Sequence, residues 1–335
     1  MAKITNREKP GIGTGIDAKD RQILYQLDLD SSQADTRIAK KVGLSRASVG
    51  YRIANLTKKG IIKGFYTVID NSRLGCQNFR VYVKFQRMGP EKEEEFVKHL
   101  SAQKRVWWIT HSDGLFDLGF AAWAKDVNEF QSFWEEVLKG YREHIRDYRL
   151  SLYNKLFQYP RGYLISQESR HIRPRPVVLG GGNMAEVDGV DKRILGVIGP
   201  NGRMAAAEVA NRLGISPEIV RYRVKKLKMK GVVLGVKPML NLPKLGYKYY
   251  KLNIYLRDME RGKELMKYVA SHPNAIHIYQ AFGWSDFEVG YEVKEFERFY
   301  SIVQDIRSKF SDAIEYYSYY AIFREDKISY APALG

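Results

Sequence analysis

Apolar residues recur at helical spacing in two stretches of the chain, and a constant offset of 171 residues superimposes one stretch on the other. In each stretch an acidic N-cap, Asp17 or Asp188, opens a first predicted helix. A second short helix is predicted from about Ala34 to Val42 and from about Ala205 to Leu213. A repeat of this length indicates that the chain contains two versions of one module.

A glycine turn and a third predicted helix complete each repeat. Gly43 and Gly214 suit the left-handed C-terminal cap of the second helix, and Ser45 and Ser216 suit the N-cap of the third. One face of the third helix is apolar and must face the core; it carries Val49, Ile53 and Leu56 in the first copy and Val220, Val224 and Leu227 in the second. Three helices with this turn predict a helix-turn-helix.

The segments after each third helix are β-prone and predict the hairpin of a wing, from Ile61 to Ile69 and from Val232 to Pro238. Downstream, each copy alternates between strand and helix periods in the order β-α-β-β-α-β, and the offset falls to 169 after a two-residue deletion. This order is typical of a split β-α-β sandwich of the ferredoxin type. The predicted fold class is α+β, with two winged helix-turn-helix domains alternating with two ferredoxin-like β-α-β-β-α-β sandwich domains. The predicted boundaries are 16–70 and 187–241 for the winged domains, 76–158 and 247–325 for the sandwiches, and 159–186 for a basic Pro/Gly linker.

Charge changes this picture, because 55 Lys and Arg face 38 Asp and Glu and give a formal net charge of +17. No acidic residue occurs between Thr36 and Ile69 or between Ile219 and Arg257, so the excess is concentrated on the repeated motif. Such a surface favours a polyanionic partner, since neutralising phosphates releases counterions. Double-stranded DNA is the predicted partner, although a solvated basic surface is the common alternative for charge alone.

Helical geometry turns a polar and basic face of each third helix away from the core, where a helix in the major groove would meet base edges and phosphates. The predicted DNA-binding residues are Arg46, Ser48, Tyr51, Arg52, Asn55 and Lys58 in the first copy, and Arg221, Tyr222, Arg223, Lys225 and Lys226 in the second. Arg52 and Arg223 lie on the flank, a position suited to phosphate. The alternative is that these side chains only cap the core and solvate the helix.

The repeated series resembles the Lrp/AsnC (leucine-responsive, feast/famine) transcription regulators, on Asp-x-x-Asp-x-x-Ile-Leu, Gly-Leu/Ile-Ser, Val-x-Tyr-Arg-Ile/Val and Gly-Ile-Ile or Gly-Val-Val-x-Gly. The resemblance covers nearly the whole chain and implies sequence-specific DNA binding, assembly through paired sandwich sheets and, often, an amino acid effector. It implies effector contacts at Gly114 and Asp117, and at Gly283 and Asp286. A Gly-x-x-Asp turn is also what a β-hairpin uses for its geometry alone.

The family plan has one helix-turn-helix and one sandwich per chain, so the tandem fusion departs from it. We expect the two sandwiches to pair within the chain as an internal pseudo-dimer, and whole chains to form a homodimer. The fusion places in doubt the ligand sites that lie between subunits in the family.

No local motif for nucleophilic catalysis, a cofactor or a metal is evident, and the single cysteine, Cys76, excludes an internal disulfide and suits a reducing compartment. With no run of about 18 apolar residues, the expectation is a cytoplasmic, non-membrane protein without enzymatic activity. The rival from another class is an enzyme, because siroheme decarboxylases are similar in domain plan; His111, His277 and Arg105 are the loose candidates for their chemistry. An architectural DNA-binding protein is a third alternative.

Overall fold

A computed structural model of the chain describes residues 15–165 and 174–328; part of the predicted linker, residues 166–173, lies outside the described residues. The first copy contains α1 (Ala18–Leu29), α2 (Asp35–Val42), α3 (Arg46–Lys58), β1 (Ile62–Ile69), β2 (Gln77–Phe85), α4 (Pro90–Ala102), β3 (Val106–Asp113), β4 (Leu118–Ala124), α5 (Val127–Tyr141) and β5 (Ile145–Gln158). A short linker strand, β6 (Val177–Leu179), follows. The second copy contains α6 (Gly189–Ile198), α7 (Ala206–Leu213), α8 (Pro217–Met229), β7 (Val233–Leu240), β8 (Lys248–Leu256), α9 (Met259–Ser271), β9 (Ala275–Phe282), β10 (Phe287–Val293), α10 (Phe296–Lys309) and β11 (Ile314–Ile328).

The two helix-turn-helix units, α1 to α3 and α6 to α8, use the same terminal chemistry. Asp17 and Asp188 each form a capping box with the aspartate three residues later. Gly43 and Gly214 both adopt φ of 66° at the end of the second helix, a left-handed conformation that glycine reaches without strain. Each helix triplet packs around an apolar core, as the sequence pattern predicts, and the other copy adds residues to it, such as Leu240 to the first core and Ile69 to the second.

The prediction of a hairpin in each wing is wrong, because the strand after each third helix pairs with the equivalent strand of the other copy. β1 and β7 form an antiparallel two-stranded ribbon in which Tyr66 lies opposite Lys237, its own equivalent at the 171-residue offset. An antiparallel pair centred on equivalent residues has two-fold symmetry about that point. The ribbon therefore joins the two helix-turn-helix units about a local two-fold axis.

The sandwich strands form one continuous sheet instead of two separate ones. Within the copies the orders are β5-β2-β4-β3 and β11-β8-β10-β9, and the seams β3–β11 and β5–β9 close eight strands into a ring, with β6 added beside β5. The two seams have matching registers, since Leu152 lies opposite Phe282 and Ala321 lies opposite Asp113. The fold class is confirmed as α+β with two ferredoxin-like units, and these units pair within one chain as the duplication predicts.

Each ferredoxin-like unit buries one face of its strands under its own two helices. Phe96 and Trp134 belong to the first of these cores, and Leu265 and Phe299 belong to the second. The opposite faces of both units meet in a shared aromatic layer. Among the described residues, no helix is long and apolar enough to cross a bilayer.

The described parts of the predicted linker, residues 159–165 and 174–186, make more contacts with the rest of the fold than the solvated linker that the composition predicts. Arg161 is 8% exposed and pairs with Asp28 at 2.6 Å and with Glu292 at 2.8 Å. β6 extends the sheet by pairing with β5, with Leu179 opposite Leu156. The basic side chain of Arg161 therefore lies in the interior, where two carboxylates compensate its charge.

Candidate nucleic-acid interface

The third helices, α3 and α8, present opposite faces to the core and to solvent. Their N-caps are Ser45 and Ser216, whose hydroxyls accept from the amides of Ser48 at 3.1 Å and Ile219 at 3.3 Å. The predicted core stripe is buried in α3; in α8 two of its three members are buried and Val224 packs partly buried against the same core. Burial of this stripe leaves the other face of each helix open.

The open faces carry a matched pair of exposed aromatic rings. Tyr51 is 73% exposed and its equivalent Tyr222 is 63% exposed. Arg46, Lys58 and Lys225 are exposed and have no ion-pair partner among the described residues. Ser48, Asn55 and Lys226 are half-buried at the helix flanks, and Arg221 is exposed but pairs with Glu218 at 2.9 Å. Both third helices are therefore accessible, and the first carries no acid on its open face.

Arg52 and Arg223 do not fit their predicted role as phosphate contacts. Arg52 pairs with Asp17 and Asp20, both at 2.7 Å, and its side chain is 28% exposed. Arg223 pairs in the same way with Asp188 and, at 3.4 Å, with Asp191. These acids are the capping-box residues of the first helices, so the two arginines stabilise the helix packing and we reassign them from DNA to the fold.

The helix-capping bonds and these ion pairs act on the same carboxylates. The pKa of Asp17 is lowered, first by the backbone N–H of Asp20 and then by Arg52. The pKa of Asp188 is lowered in the same way by the backbone of Asp191 and by Arg223. The second copy thus repeats the electrostatics of the first, which supports a structural role for this trio of residues.

The turns predicted to touch an effector are hydrogen-bonded to neighbouring strands. Asp117 accepts from the Phe85 amide at 2.6 Å and from Lys84 at 2.7 Å, and Asp286 accepts from the equivalent amide of Leu256 at 2.8 Å. Gly114 and Gly283 have φ of 116° and 107°, which side chains rarely adopt. These four residues hold the β3–β4 and β9–β10 turns in place, and effector binding by them stays a prediction.

Sequence reasoning missed a buried charge cluster inside the sheet ring. Arg80 and Lys251 occupy equivalent positions in β2 and β8, and both approach Glu288 of β10, with Arg80 Nη1 at 2.8 Å from Glu288 Oε1. All three side chains are fully buried, and Tyr153 donates to Glu288 at 2.9 Å. The signal in the sequence was a cation at the same position of two apolar strands, but the shared acid has no equivalent, since Gly119 stands at its place in the first copy.

The cluster holds two positive charges and one negative charge away from water, and the pKa values follow. Burial lowers the pKa of Lys251 to about 7, against the pull of Glu288. Burial alone would raise the pKa of Glu288, but Lys251 and Arg80 outweigh it and hold that pKa at about 2. Glu288 is therefore an anion shared by two cations, and Lys251 is the member that gives up its charge first.

The three residues named for the enzyme alternative do not form one site, because each contacts a different set of side chains. His111 lies between Glu93 at 2.7 Å and Asp326 at 2.6 Å, and Arg105 pairs with Glu129 at 3.2 Å. His277 contacts Tyr249 and Gln158, and burial lowers its pKa well below the usual value. No group of three or more His, Cys, Asp and Glu suited to a metal ion occurs within residues 15–165 and 174–328.

Comparison with known proteins matches this architecture twice over. The model of the AsnC-type helix-turn-helix domain matches residues 16–57 and 187–228. The HTH-type transcriptional regulator Ptr1 of Methanocaldococcus jannaschii is 30% identical over 126 residues, which are 37% of this chain and 82% of Ptr1. The regulatory protein AsnC of Haemophilus influenzae is 29% identical over 101 residues, which are 30% of this chain and 67% of AsnC. Each relative thus compares with about one copy of the repeat.

Solved structures of a siroheme decarboxylase, NirDL, match both copies together. The siroheme decarboxylase NirDL superimposes with a TM-score of 0.63 and 16% identity, covering 92% of each chain. At this identity the likeness concerns the fold, namely two helix-turn-helix units and two paired sandwiches in one architecture.

Proposed function

This chain belongs to the Lrp/AsnC family of helix-turn-helix transcription regulators, and we propose that it regulates transcription by placing both third helices in the major groove of one duplex DNA site. The observation that carries the proposal is the open face of α3 and α8, where Tyr51 and Tyr222 are exposed beside basic side chains. A helix with this exposure and charge can approach both base edges and phosphates.

The two-fold ribbon supports a DNA site made of two related halves. Because β1 and β7 pair about Tyr66 and Lys237, the two third helices are related by a local two-fold axis, as in dimeric regulators that read inverted repeats. Their open faces differ, since Asn55 in the first copy corresponds to Lys226 in the second. Asn pairs with adenine and Lys with guanine in the major groove. The proposed site is therefore an imperfect inverted repeat.

Selection of bound sequences from random duplex DNA by the full chain tests this proposal. The expected result is a site with two unlike half-sites, in which Asn55→Ala changes the preference of one half-site and Lys226→Ala changes only the other. Lys98→Ala is the matched control, because Lys98 is an exposed lysine on α4, far from the third helices in the sequence. Enrichment of no sequence over the starting pool would contradict the proposal and favour an architectural DNA-binding protein.

Effector control and assembly of whole chains belong to the same proposal. The curated relatives are transcription regulators, and we propose that a small molecule modulates DNA binding and that two chains form a homodimer. Mass measurement in solution tests the second point, since a homodimer has twice the 38.8 kDa of one chain. A mass of one chain at micromolar concentration would contradict it.

A siroheme-decarboxylase-like activity is the second candidate, favoured by the full-length match to NirDL. One observation weighs against it: His111 and Arg105 are already held by carboxylates. Titration of siroheme into the chain should leave its absorption spectrum unchanged; a saturable shift followed by release of carbon dioxide would favour the enzyme.

A further inference from the structure

The open faces of the two third helices differ at the positions on either side of their shared tyrosine. Residues four and seven positions apart lie on one stripe of a helix. On the open face of α8 this stripe holds three exposed residues, Glu218, Tyr222 and Lys225. The 171-residue offset places three exposed residues on the same stripe of α3, namely Ala47, Tyr51 and Ala54. An acid and a lysine in one copy therefore correspond to two small apolar residues in the other.

Glu218 puts a negative charge on the surface that faces DNA in the proposed function. Its side chain is 74% exposed and lies in the first turn of α8, the part of a recognition helix that meets base edges. The pKa of Glu218 is lowered by its own backbone N–H and then by Arg221, so the charge persists at neutral pH. A carboxylate here repels the phosphates of every DNA sequence. It lowers general affinity unless a base compensates it.

Cytosine is the base that accommodates a carboxylate in the major groove. It presents its N4 amino group as a donor, and Glu accepts from it. Adenine also presents an amino group, but its N7 acceptor lies alongside and repels a carboxylate. Arg221 donates to Glu218 Oε1 at 2.9 Å, and a carboxylate has about four acceptor positions, so Glu218 keeps the capacity to accept from a base. Glu218 therefore favours a C·G pair.

The first copy carries the opposite preference at the equivalent positions. Ala47 and Ala54 offer methyl groups, which contact the methyl group of thymine. Lys225, the equivalent of Ala54, donates to the acceptors of guanine. The pair of Asn55 and Lys226 agrees, since Asn suits adenine and Lys suits guanine. All three positions that differ thus separate A·T pairs from G·C pairs in the same direction.

We propose, on the basis of the proposed DNA binding by both third helices, that α8 reads G·C pairs through Glu218 and its lysines, whereas α3 reads A·T pairs at the equivalent positions. Glu218 acts on specificity, because its charge weakens binding to most sequences and is compensated only at cytosine. The two halves of the DNA site therefore differ in base composition. Such a site has a direction, so one chain binds it in one orientation.

The test is selection from random duplex DNA by the full chain and by two variants of Glu218. The wild type should enrich a site with one G·C-rich and one A·T-rich half, with cytosine at one position of the G·C-rich half. Glu218→Gln should change that cytosine to adenine, with which Gln pairs. Glu218→Ala should reduce the preference for cytosine there by about 5-fold or more and strengthen binding to other sequences. The A·T-rich half should stay unchanged in both variants.

Glu208→Ala is the matched control, because Glu208 is another exposed acid of the same helix-turn-helix and pairs with Arg212 at 2.8 Å. It removes the same charge from α7 and should change no base preference. In the reciprocal variant, Ala47→Glu, the A·T-rich half should gain a preference for cytosine.

Two halves of equal base composition, or Glu218 variants that keep the wild-type preference at every position, would overturn the proposal. In the second case Glu218 would only stabilise the N-terminus of α8. Such a result leaves the proposed DNA binding intact, because the wild type still enriches a site. Enrichment of no sequence by the wild type would overturn both.

Discussion

Glu288→Gln removes the negative charge that Arg80 and Lys251 share inside the sheet ring. All three side chains are fully buried, and Arg80 lies 2.8 Å from the carboxylate. The variant keeps the size of the side chain and an acceptor for the Tyr153 hydroxyl, but it leaves the buried Arg80 guanidinium without a counter-charge and favours loss of the Lys251 proton. Removing one partner of a buried ion pair costs about 3–5 kcal/mol, because desolvation of the remaining charge is no longer offset.

That cost is large beside the roughly 5–15 kcal/mol by which a native domain is stable. At about 2–4 °C per kcal/mol, it corresponds to a fall in melting temperature on the order of 6–20 °C. Lys251→Met should cost far less, about 1 kcal/mol or below, because it leaves one cation paired with one anion and replaces a group whose burial is unfavourable.

Urea unfolding of the full chain, followed by tryptophan fluorescence, measures these differences. Glu295→Gln is the matched control, since Glu295 is 70% exposed and its ion pair with Lys248 lies at the surface; surface changes of this kind stay within about 0.5 kcal/mol. A loss below about 1 kcal/mol for Glu288→Gln, or an equal loss for Lys251→Met, would refute the reasoning from charge balance.

Three further predictions follow from the same contacts. The free energy of unfolding should rise between pH 7 and about pH 10. Across this window the unfolded chain keeps the Lys251 proton, while the folded chain, in which the pKa of Lys251 is about 7, has released it. A pH series in which the stability of Lys251→Met rises as much as that of the wild type would contradict this. Arg52→Ala should lower the melting temperature and leave the salt dependence of DNA binding unchanged, since Arg52 is paired with Asp17 and Asp20; a flatter salt dependence would restore it as a phosphate contact. Arg161→Met should destabilise the chain by about 3–5 kcal/mol in urea, because it leaves the buried Asp28 and Glu292 carboxylates unpaired, whereas the exposed Arg149→Met should change stability by less than about 0.5 kcal/mol; similar values for the two would exclude a buried network.

The fold was largely predictable from the sequence because its signals are local. Apolar spacing, the serine and aspartate N-caps and the glycine turns are each readable within a few residues, and the repeat confirms each of them a second time. The pairing of β1 with β7 was not predictable in this way. A β-prone segment looks the same whether its partner follows at once or lies 171 residues away.

In the candidate interface, too, local features were predictable and contacts between distant segments were not. Helical geometry alone predicts that Tyr51 and Tyr222 are exposed, and both are. It also placed Arg52 on the flank, but no local rule showed that Asp17 and Asp20 would reach it from another helix. A hint existed, since the same two acids and one arginine recur together as Asp188, Asp191 and Arg223.

The salt dependence of binding to duplex DNA tests the central claim most directly, by comparing the wild type with Lys58→Ala/Lys225→Ala. Each of these exposed lysines lies on one third helix and has no ion-pair partner among the described residues. If both helices lie against DNA, the double variant binds more weakly, and the slope of log affinity against log salt falls by about 0.9 for each phosphate that is no longer neutralised. Lys98→Ala/Lys139→Ala, which removes two charges from the sandwich helices, keeps the wild-type slope. Equal slopes for all three proteins would contradict the account.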